Sequence, residues 1–266
     1  MKYFSTSKFF LYLVPFTALI FTPSVHFPYI LGKYAFFRGV VGLALIFFFL
    51  GIIFSNKSQH YWDKLINSIK SPLGIALGVF TSIFLLAGFL GIDPHYSFWS
   101  NFERGEGGLQ ILFLYSFFIL LSTFFTEEKE WKRYFGVFII TAAASILWGL
   151  FNGLGVISGD GNTLAEMSRF YGSLGNPAYF ATYLLFALFF STYLLLSEKI
   201  KAKVKSKGWL IASIVAFIIF FLWAATRGAF LGLIGASIVG AVYLFIINKK
   251  WRKPIVIIAL IGVVIL

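Results

Sequence analysis

The sequence contains no cysteine and little charge: 22 basic side chains, 10 acidic side chains and 3 histidines in 266 residues. Without cysteine there can be no disulfide framework, thiolate metal site or cysteine nucleophile. Charged residues make up 12% of the chain, whereas soluble domains contain about 25%. A chain with so few charges cannot cover a soluble surface. A soluble domain, a disordered chain and a nucleic-acid-binding protein are therefore excluded.

Apolar residues dominate instead, at 59% of the chain, with 35 Phe, 13 Tyr and 7 Trp. A transmembrane helix needs about 20 mostly apolar residues. The sequence therefore predicts an all-α, polytopic integral membrane helix bundle that forms a single transmembrane domain over residues 1–266. Nine spans are predicted, at residues 9–25, 35–54, 73–91, 109–125, 134–152, 177–197, 209–225, 229–247 and 254–266.

The distribution of basic residues predicts the orientation of these spans. If the N-terminus is cytoplasmic, seventeen of the 22 basic residues fall in cytoplasmic segments and five fall outside. Cytoplasmic loops of membrane proteins carry such an excess of Lys and Arg. The net charge of +12 is therefore a topology signal and not a nucleic-acid surface. We expect a multi-pass protein of the inner (cytoplasmic) membrane with a cytoplasmic N-terminus.

Residues 208–248 form one apolar run in which Arg227 is the single charge, and both flanks are strongly basic. The run is about twice as long as one span, so the chain must cross the membrane out and back. The turn is predicted at residues 223–229, with Arg227 at the outer membrane boundary.

The outer basic residues differ in kind from the inner ones, because four of the five are arginines. These are Arg38, Arg104, Arg169 and Arg227. The forked guanidinium group suits phosphate oxygens. Two other roles stay open: snorkelling at the membrane interface, or an ion pair with Glu103, Glu106 or Glu166.

The segment 169–178 is the most informative stretch of the chain. Asn176 is a favourable N-cap and Pro177 a favourable first helical residue. Gly172 and Gly175 permit a tight backbone path or the close approach of a ligand. The following helix would direct its N-terminus toward the outer interface, where anions bind, and Arg169 adds full charge. An ordinary loop with an incidental arginine is the alternative.

Thr226-Arg227-Gly228-Ala229 repeats this pattern. Thr226 can cap the next helix, Arg227 adds charge and Gly228 leaves space. A lone arginine in a long apolar run is costly unless it is paired or faces water, so it is a functional candidate. The alternative is an interfacial anchor on a short turn.

The outer loop 92–108 holds the titratable groups suited to proton transfer, which are Asp93, His95, Glu103 and Glu106. The spacing of the loop indicates no nucleophile–base pair. His26, His60 and His95 are isolated from one another, so no metal site is predicted.

These features together resemble the O-antigen ligase and O-antigen polymerase superfamily. The resemblance rests on Arg169 with Gly175-Asn176-Pro177 ahead of a span, on Thr226-Arg227-Gly228-Ala229 in an outer turn, and on the loop at residues 98–106. It implies an extracytoplasmic glycosyltransferase of lipopolysaccharide or other cell-surface polysaccharide assembly. Such an enzyme transfers a glycan from an undecaprenyl-pyrophosphate carrier to a lipid or glycan acceptor and uses no cofactor.

The resemblance also implies roles for individual residues. Arg169 and Arg227 would bind the pyrophosphate, with weaker support for Arg104 and Arg38. The residues expected to shape the site are Gly175, Asn176, Pro177, Thr226 and Gly228.

Family members also carry a large outer loop with a catalytic histidine, followed by further helices. We therefore expect the chain to be an N-terminal part of a longer protein, with the catalytic histidine beyond Leu266. The catalytic residue is then not identifiable in these 266 residues.

Three other functions remain open at this point. One is a repeat-unit polymerase of the same superfamily, and another is a non-enzymatic transporter of the polyprenyl-pyrophosphate glycan. A transporter would be expected to bury charged residues within several spans, and the predicted spans contain almost none. The third, a structural subunit without a ligand, would not explain the outer arginines.

Overall fold

A computed structural model describes residues 2–25, 27–101, 103–157, 163–197 and 204–247, together with Arg252. Within these residues every regular element is helical. The α-helices are α1 (Lys2–Leu13), α2 (Leu31–Phe54), α3 (Ser58–Lys70), α4 (Pro72–Phe89), α5 (Pro94–Trp99), α6 (Gly108–Phe124), α7 (Glu128–Gly153), α8 (Pro177–Leu196), α9 (Val204–Ala224) and α10 (Arg227–Ile247). Two short 3₁₀ helices, Val14–Leu19 and Gly172–Leu174, complete the fold.

Six helices are long and apolar enough to cross a membrane: Leu31–Phe54, Pro72–Phe89, Glu128–Gly153, Pro177–Leu196, Lys207–Ala224 and Arg227–Ile247. Their positions agree with six of the predicted spans to within a few residues at most ends. α6 is as apolar as these but contains only 17 residues. The protein is therefore an all-helical, multi-pass membrane protein.

The predicted ninth span, at residues 254–266, lies outside the described residues, and so does Leu266 at its end. The structure therefore does not test this span. The expectation that a catalytic histidine follows Leu266 also stays a prediction.

The predicted first span at residues 9–25 differs from the structure. The helical segment begins at Lys2, and its α-helical part ends at Leu13. A 3₁₀ turn then continues to Leu19. Pro15 is the physical cause, because proline lacks an amide donor and its ring clashes with the preceding turn of an α-helix.

Helix α3 is an element that the sequence analysis did not predict. It lies between α2 and α4, and it is amphipathic. Tyr61 and Leu65 pack against a buried cluster that includes Phe4 and Phe124, whereas Asp63 is exposed. The helix is too short and too polar to span a membrane. It therefore does not stand out as an apolar run in the sequence.

Two sets of contacts define the ends of the bundle. At one end Lys8 forms an ion pair with Glu130, and the Thr123 hydroxyl donates a hydrogen bond to the Ser68 hydroxyl. We call this the lysine end. At the other end lie the first residues of α2, α6, α8 and α10, together with Arg38, Arg104, Arg169 and Arg227. We call it the arginine face.

The largest buried cluster joins α7, α8 and α9. Its fully buried side chains include Ile139, Phe180, Leu184 and Phe217. Phe170 from the loop before α8 also packs into this cluster, with its ring 5.4 Å from that of Phe180. The loop at residues 169–176 is therefore anchored to the helix bundle by apolar contacts.

Candidate functional site

The arginine face contains a cleft of about 860 Å³, which is within the usual range for small-molecule sites. Residues from three separate parts of the chain line it: the 3₁₀ turn and loop before α2, the loop before α6, and the loop before α8. The polar lining residues include Thr17, Lys33, Arg104, Glu106 and Asn176. The tertiary structure thus brings the loop at 98–106 and the Gly175-Asn176 motif to one cavity.

The motif before α8 has the predicted local structure. The side chain of Asn176 caps the helix by accepting a hydrogen bond from the amide of Ala178 at 2.8 Å, and Pro177 is the first helical residue. Gly172 and Gly175 have φ angles of 52° and 71°, in the left-handed region that favours glycine. The expected cap and the expected glycine turn are both confirmed.

Two glycines with positive φ lie under aromatic rings that line the cleft. A Cβ atom at Gly175 would lie 2.2 Å from the ring of Tyr29. At Gly105, where φ is 61°, it would lie 2.8 Å from the ring of Tyr34. Each glycine therefore lets an aromatic wall approach the backbone.

Lys33 is a cleft residue that the sequence analysis did not select. Its ammonium group donates hydrogen bonds to the carbonyl oxygens of Ile20 and Ser173, both at 2.8 Å. It also lies 5.5 Å from the centre of the Tyr29 ring. An ammonium group has three donors, so Lys33 can join two loops and still present a positive charge to the cleft.

Thr17 provides a further polar group at the cleft. Its hydroxyl oxygen is buried and has no hydrogen-bond partner among the described residues. A buried hydroxyl without a partner costs free energy, on the order of 1–3 kcal/mol. Although Thr17 lines the cleft, this oxygen is therefore not exposed to it.

The four outer arginines do not converge on one point. The Arg38 guanidinium donates to the carbonyl of Gly105 and to the Gln110 side chain, the latter at 2.9 Å, and lies over the Tyr34 ring. Arg38 therefore holds one wall of the cleft. Arg104 lines the cleft itself, and its guanidinium has no hydrogen bond or ion pair within the described part of the chain.

Arg169 and Arg227 lie at the turn between α9 and α10, which is where the sequence predicted a turn. The Arg169 guanidinium donates to the carbonyl of Ala224 at 2.9 Å and to the hydroxyl of Thr226 at 2.7 Å. The Thr226 hydroxyl in turn donates to the Ala224 carbonyl at 3.1 Å. The Thr226 side chain thus forms hydrogen bonds within the turn, whereas the sequence predicted that it caps α10.

Arg227 and Gly228 are exposed at the first turn of α10, and neither lines the cleft. The Arg227 side chain has no hydrogen bond or ion pair to any described residue. The two predicted motifs therefore meet through Arg169 and Thr226, outside the cleft. The predicted pyrophosphate-binding role of Arg169 and Arg227 stays a prediction.

Ion pairing, one of the alternatives for the arginines, is not seen among the described residues. The ion pairs found there are Lys8–Glu130 and Lys132–Glu128. Glu166 instead accepts hydrogen bonds from the amide and hydroxyl of Thr163, at 3.0 and 2.9 Å. These bonds hold the pKa of Glu166 below its usual value.

Of the four groups suited to proton transfer, Glu106 lines the cleft and the other three do not. Asp93 caps α5 by accepting from the amide of Tyr96 at 2.8 Å, and His95 lies next to Trp99. No cluster of metal-ligating side chains occurs in the part of the chain that the structure describes, and His26 lies outside that part.

No protein-family model, curated protein or solved structure matches this chain.

Proposed function

We propose that this protein is a membrane glycosyltransferase of cell-surface polysaccharide assembly. It transfers a glycan from an undecaprenyl-pyrophosphate carrier to a lipid or glycan acceptor, in the manner of the O-antigen ligases that its motifs resemble. In this proposal the chain crosses the inner membrane nine times from a cytoplasmic N-terminus, and the arginine face is extracytoplasmic.

The observation that carries the proposal is the combination of two cationic side chains, Lys33 and Arg104, with the capped start of α8 at Asn176 in one cleft. The two cations suit a diphosphate. Ile111 and Leu114 of α6 also line this cleft. They give the polyprenyl chain an apolar wall.

The proposed roles of the arginines follow from their contacts. Arg104 and Lys33 bind the diphosphate, because both line the cleft and both are positively charged. Arg38 and Arg169 position the surrounding loops, because their donors are bound to protein oxygens. Arg227, which has no partner among the described residues, contacts the donor farther from the cleft.

The chemistry needs no cofactor. The acceptor hydroxyl attacks the anomeric carbon of the donor sugar, the bond from that carbon to the diphosphate oxygen breaks, and the acceptor proton passes to a base. Negative charge develops on the departing diphosphate, and preorganised cations stabilise it in the transition state. Among the described residues, Glu106 is the carboxylate on the cleft that can accept the proton. The histidine expected beyond Leu266 is the other candidate base.

The test is donor binding by the protein in lipid nanodiscs. Native mass spectrometry would compare undecaprenyl pyrophosphate with undecaprenyl monophosphate. We expect the diphosphate to bind more tightly, and Arg104→Ala to weaken it roughly tenfold, since a hydrogen bond to a charged group contributes about 1.5–3 kcal/mol. Arg133→Ala is the matched control, because Arg133 is exposed at the lysine end.

Equal affinity for the two phosphates, or an unchanged affinity in Arg104→Ala, would contradict the proposal. Transfer is tested separately, by measuring release of glycan from the lipid carrier in membranes of the source cell. Tight diphosphate binding without any transfer would identify the transporter alternative instead.

A further inference from the structure

A second cleft, of about 640 Å³, lies at the lysine end of the bundle. It is formed by α3, the start of α4, the end of α6 and the start of α7. Nothing in the proposed glycan transfer uses this end of the protein.

The cleft has a polar part whose side chains are open to a ligand, since Asn67 and Thr126 are exposed and Ser122 is half-buried. Asn67, Ser122 and Thr126 line it, and their side chains have no hydrogen-bond partner among the described residues. Lys64 supplies the charge of the lining. Its stem is half-buried, and its ammonium group lies 5.9 Å from the centre of the Tyr61 ring.

The rest of the lining is apolar, and it opens onto the outside of the bundle. Phe118 and Leu121 of α6 form one side, and Leu73 of α4 forms another. Leu73 is 58% exposed, on a helix that is apolar enough to cross the membrane. An apolar chain lying against these residues would continue directly into the bilayer.

The position of α3 sets the depth of this cleft in the membrane. α2 ends at Phe54 and α4 begins at Pro72, so α3 runs between the ends of two spans. Because the ends of membrane-spanning helices lie at the membrane–water interface, α3 lies near the level of the lipid headgroups. The polar part of the cleft is therefore at headgroup depth, and the apolar part is at the depth of the acyl chains.

We propose that this cleft is a binding site for an anionic glycerophospholipid. The phosphodiester contacts Lys64 and accepts hydrogen bonds from Asn67 and the two hydroxyls, and an acyl chain follows Leu73 and Phe118. A lysine near the membrane surface attracts anionic lipid headgroups, and Lys64 is the one basic residue of this lining. A choline phospholipid fits less well, because its quaternary ammonium group would lie near Lys64.

The experiment measures lipid binding to the purified full chain by native mass spectrometry, with phosphatidylglycerol and phosphatidylcholine as probes. We expect phosphatidylglycerol to bind more tightly, and Lys64→Ala to weaken it about fivefold, as one lysine near an anionic lipid contributes about 1 kcal/mol. Lys64→Arg should retain binding. Lys70→Ala is the matched control, because Lys70 is an exposed lysine of the same helix outside the cleft.

Equal binding of the two phospholipids would overturn the proposal, and so would an equal loss in Lys64→Ala and Lys70→Ala, which would indicate general surface charge. Ser122→Leu offers a second variant that fills the cleft while Lys64 stays in place, and it should also reduce phosphatidylglycerol binding. Circular dichroism of each variant checks folding. Undecaprenyl pyrophosphate binding should be unchanged in Lys64→Ala, which separates this site from the arginine-face cleft.

Discussion

The guanidinium group of Arg169 donates a hydrogen bond to the hydroxyl of Thr226, 57 residues farther along the chain, over 2.7 Å. This contact joins the loop before α8 to the turn between α9 and α10. The turn is strained, because Ala225 has a φ angle of 45°, a conformation that costs a non-glycine residue about 1–2 kcal/mol. The bonds from Arg169 to the turn offset part of that cost.

Replacing Arg169 with alanine should therefore destabilise the turn. We expect Arg169→Ala to reduce the free energy of unfolding by on the order of 1 kcal/mol, because the contact is partly exposed. Arg169→Lys should restore only part of this loss, since a single ammonium group cannot reproduce the planar fork. Thermal unfolding in detergent measures both effects.

Arg227→Ala is the matched control for that measurement. Arg227 belongs to the same turn but is exposed and has no partner among the described residues, so its removal should leave the unfolding temperature unchanged. If Arg169→Ala unfolds at the wild-type temperature, Arg169 does not support the turn.

Gly175 and Gly155 form a natural comparison. Their φ angles are 71° and 69°, but a Cβ atom would meet Tyr29 at Gly175 and no described atom within 4 Å at Gly155. Alanine at either position should cost about 1 kcal/mol of backbone strain. Gly175→Ala should in addition displace Tyr29 and weaken undecaprenyl pyrophosphate binding, whereas Gly155→Ala should keep wild-type affinity. Equal affinity in the two variants would show that the Tyr29 wall does not shape the site.

The Lys8–Glu130 ion pair should contribute more to stability than the Lys132–Glu128 pair. Glu130 is 19% exposed and also accepts hydrogen bonds from two backbone amides, while Glu128 is 55% exposed. Removing one partner of a partly buried pair leaves a poorly solvated charge. We expect Lys8→Met to cost on the order of 1–2 kcal/mol, and Lys132→Met about 0.3–0.5 kcal/mol.

Thermal unfolding of the two single variants, and a double-mutant cycle of Lys8→Met with Glu130→Gln, would measure the coupling. A coupling energy no larger than that of the Lys132–Glu128 pair contradicts the expected ranking.

Glu106 lines the arginine-face cleft, whereas Glu103 of the same loop does not, and both carboxylates are exposed. General base catalysis contributes about 10²–10⁴-fold to a reaction rate. We expect Glu106→Gln to lower glycan transfer by about two orders of magnitude while diphosphate binding remains. Glu103→Gln should leave transfer unchanged. Normal transfer in Glu106→Gln would remove Glu106 from the proton-transfer role.

The absence of cysteine from the chain makes the orientation directly testable. Single cysteines can be introduced at Val156, exposed at the arginine face, and at Lys57, exposed at the lysine end. In intact cells a membrane-impermeant thiol reagent should label Val156→Cys, and it should label Lys57→Cys only after lysis. The reverse pattern would invert the proposed topology.

The sequence predicted the apolar helices well, because in a membrane the length and hydropathy of a segment largely decide whether it forms a spanning helix. The hairpin of α9 and α10 is the clearest example. The run at 208–248 is too long for one span, and the structure places the turn at Ala225 and Thr226. The cap at Asn176 was predictable for a similar reason, since capping depends on neighbours in the chain.

Segments that depend on other contacts were not predicted. Pro15 ends the α-helical part of α1 before the end of the apolar run in the sequence. Helix α3 forms because Tyr61 and Leu65 pack against side chains from α1 and α6. Lys33 was not predicted because the site was sought among the outer arginines, and its carbonyl partners lie 13 and 140 residues away in the chain.

The sequence alone determined that this is a multi-pass helical membrane protein with arginines gathered between particular spans, because hydropathy and charge are local properties. The tertiary structure alone decided which of those arginines have partners within the protein. Within the described residues, Arg104 has no partner and lies at a cleft with Lys33 and Thr17, while Arg38 and Arg169 are bound to carbonyl oxygens. That division depends on which distant loops pack together, and a side chain's partners are fixed only by that packing.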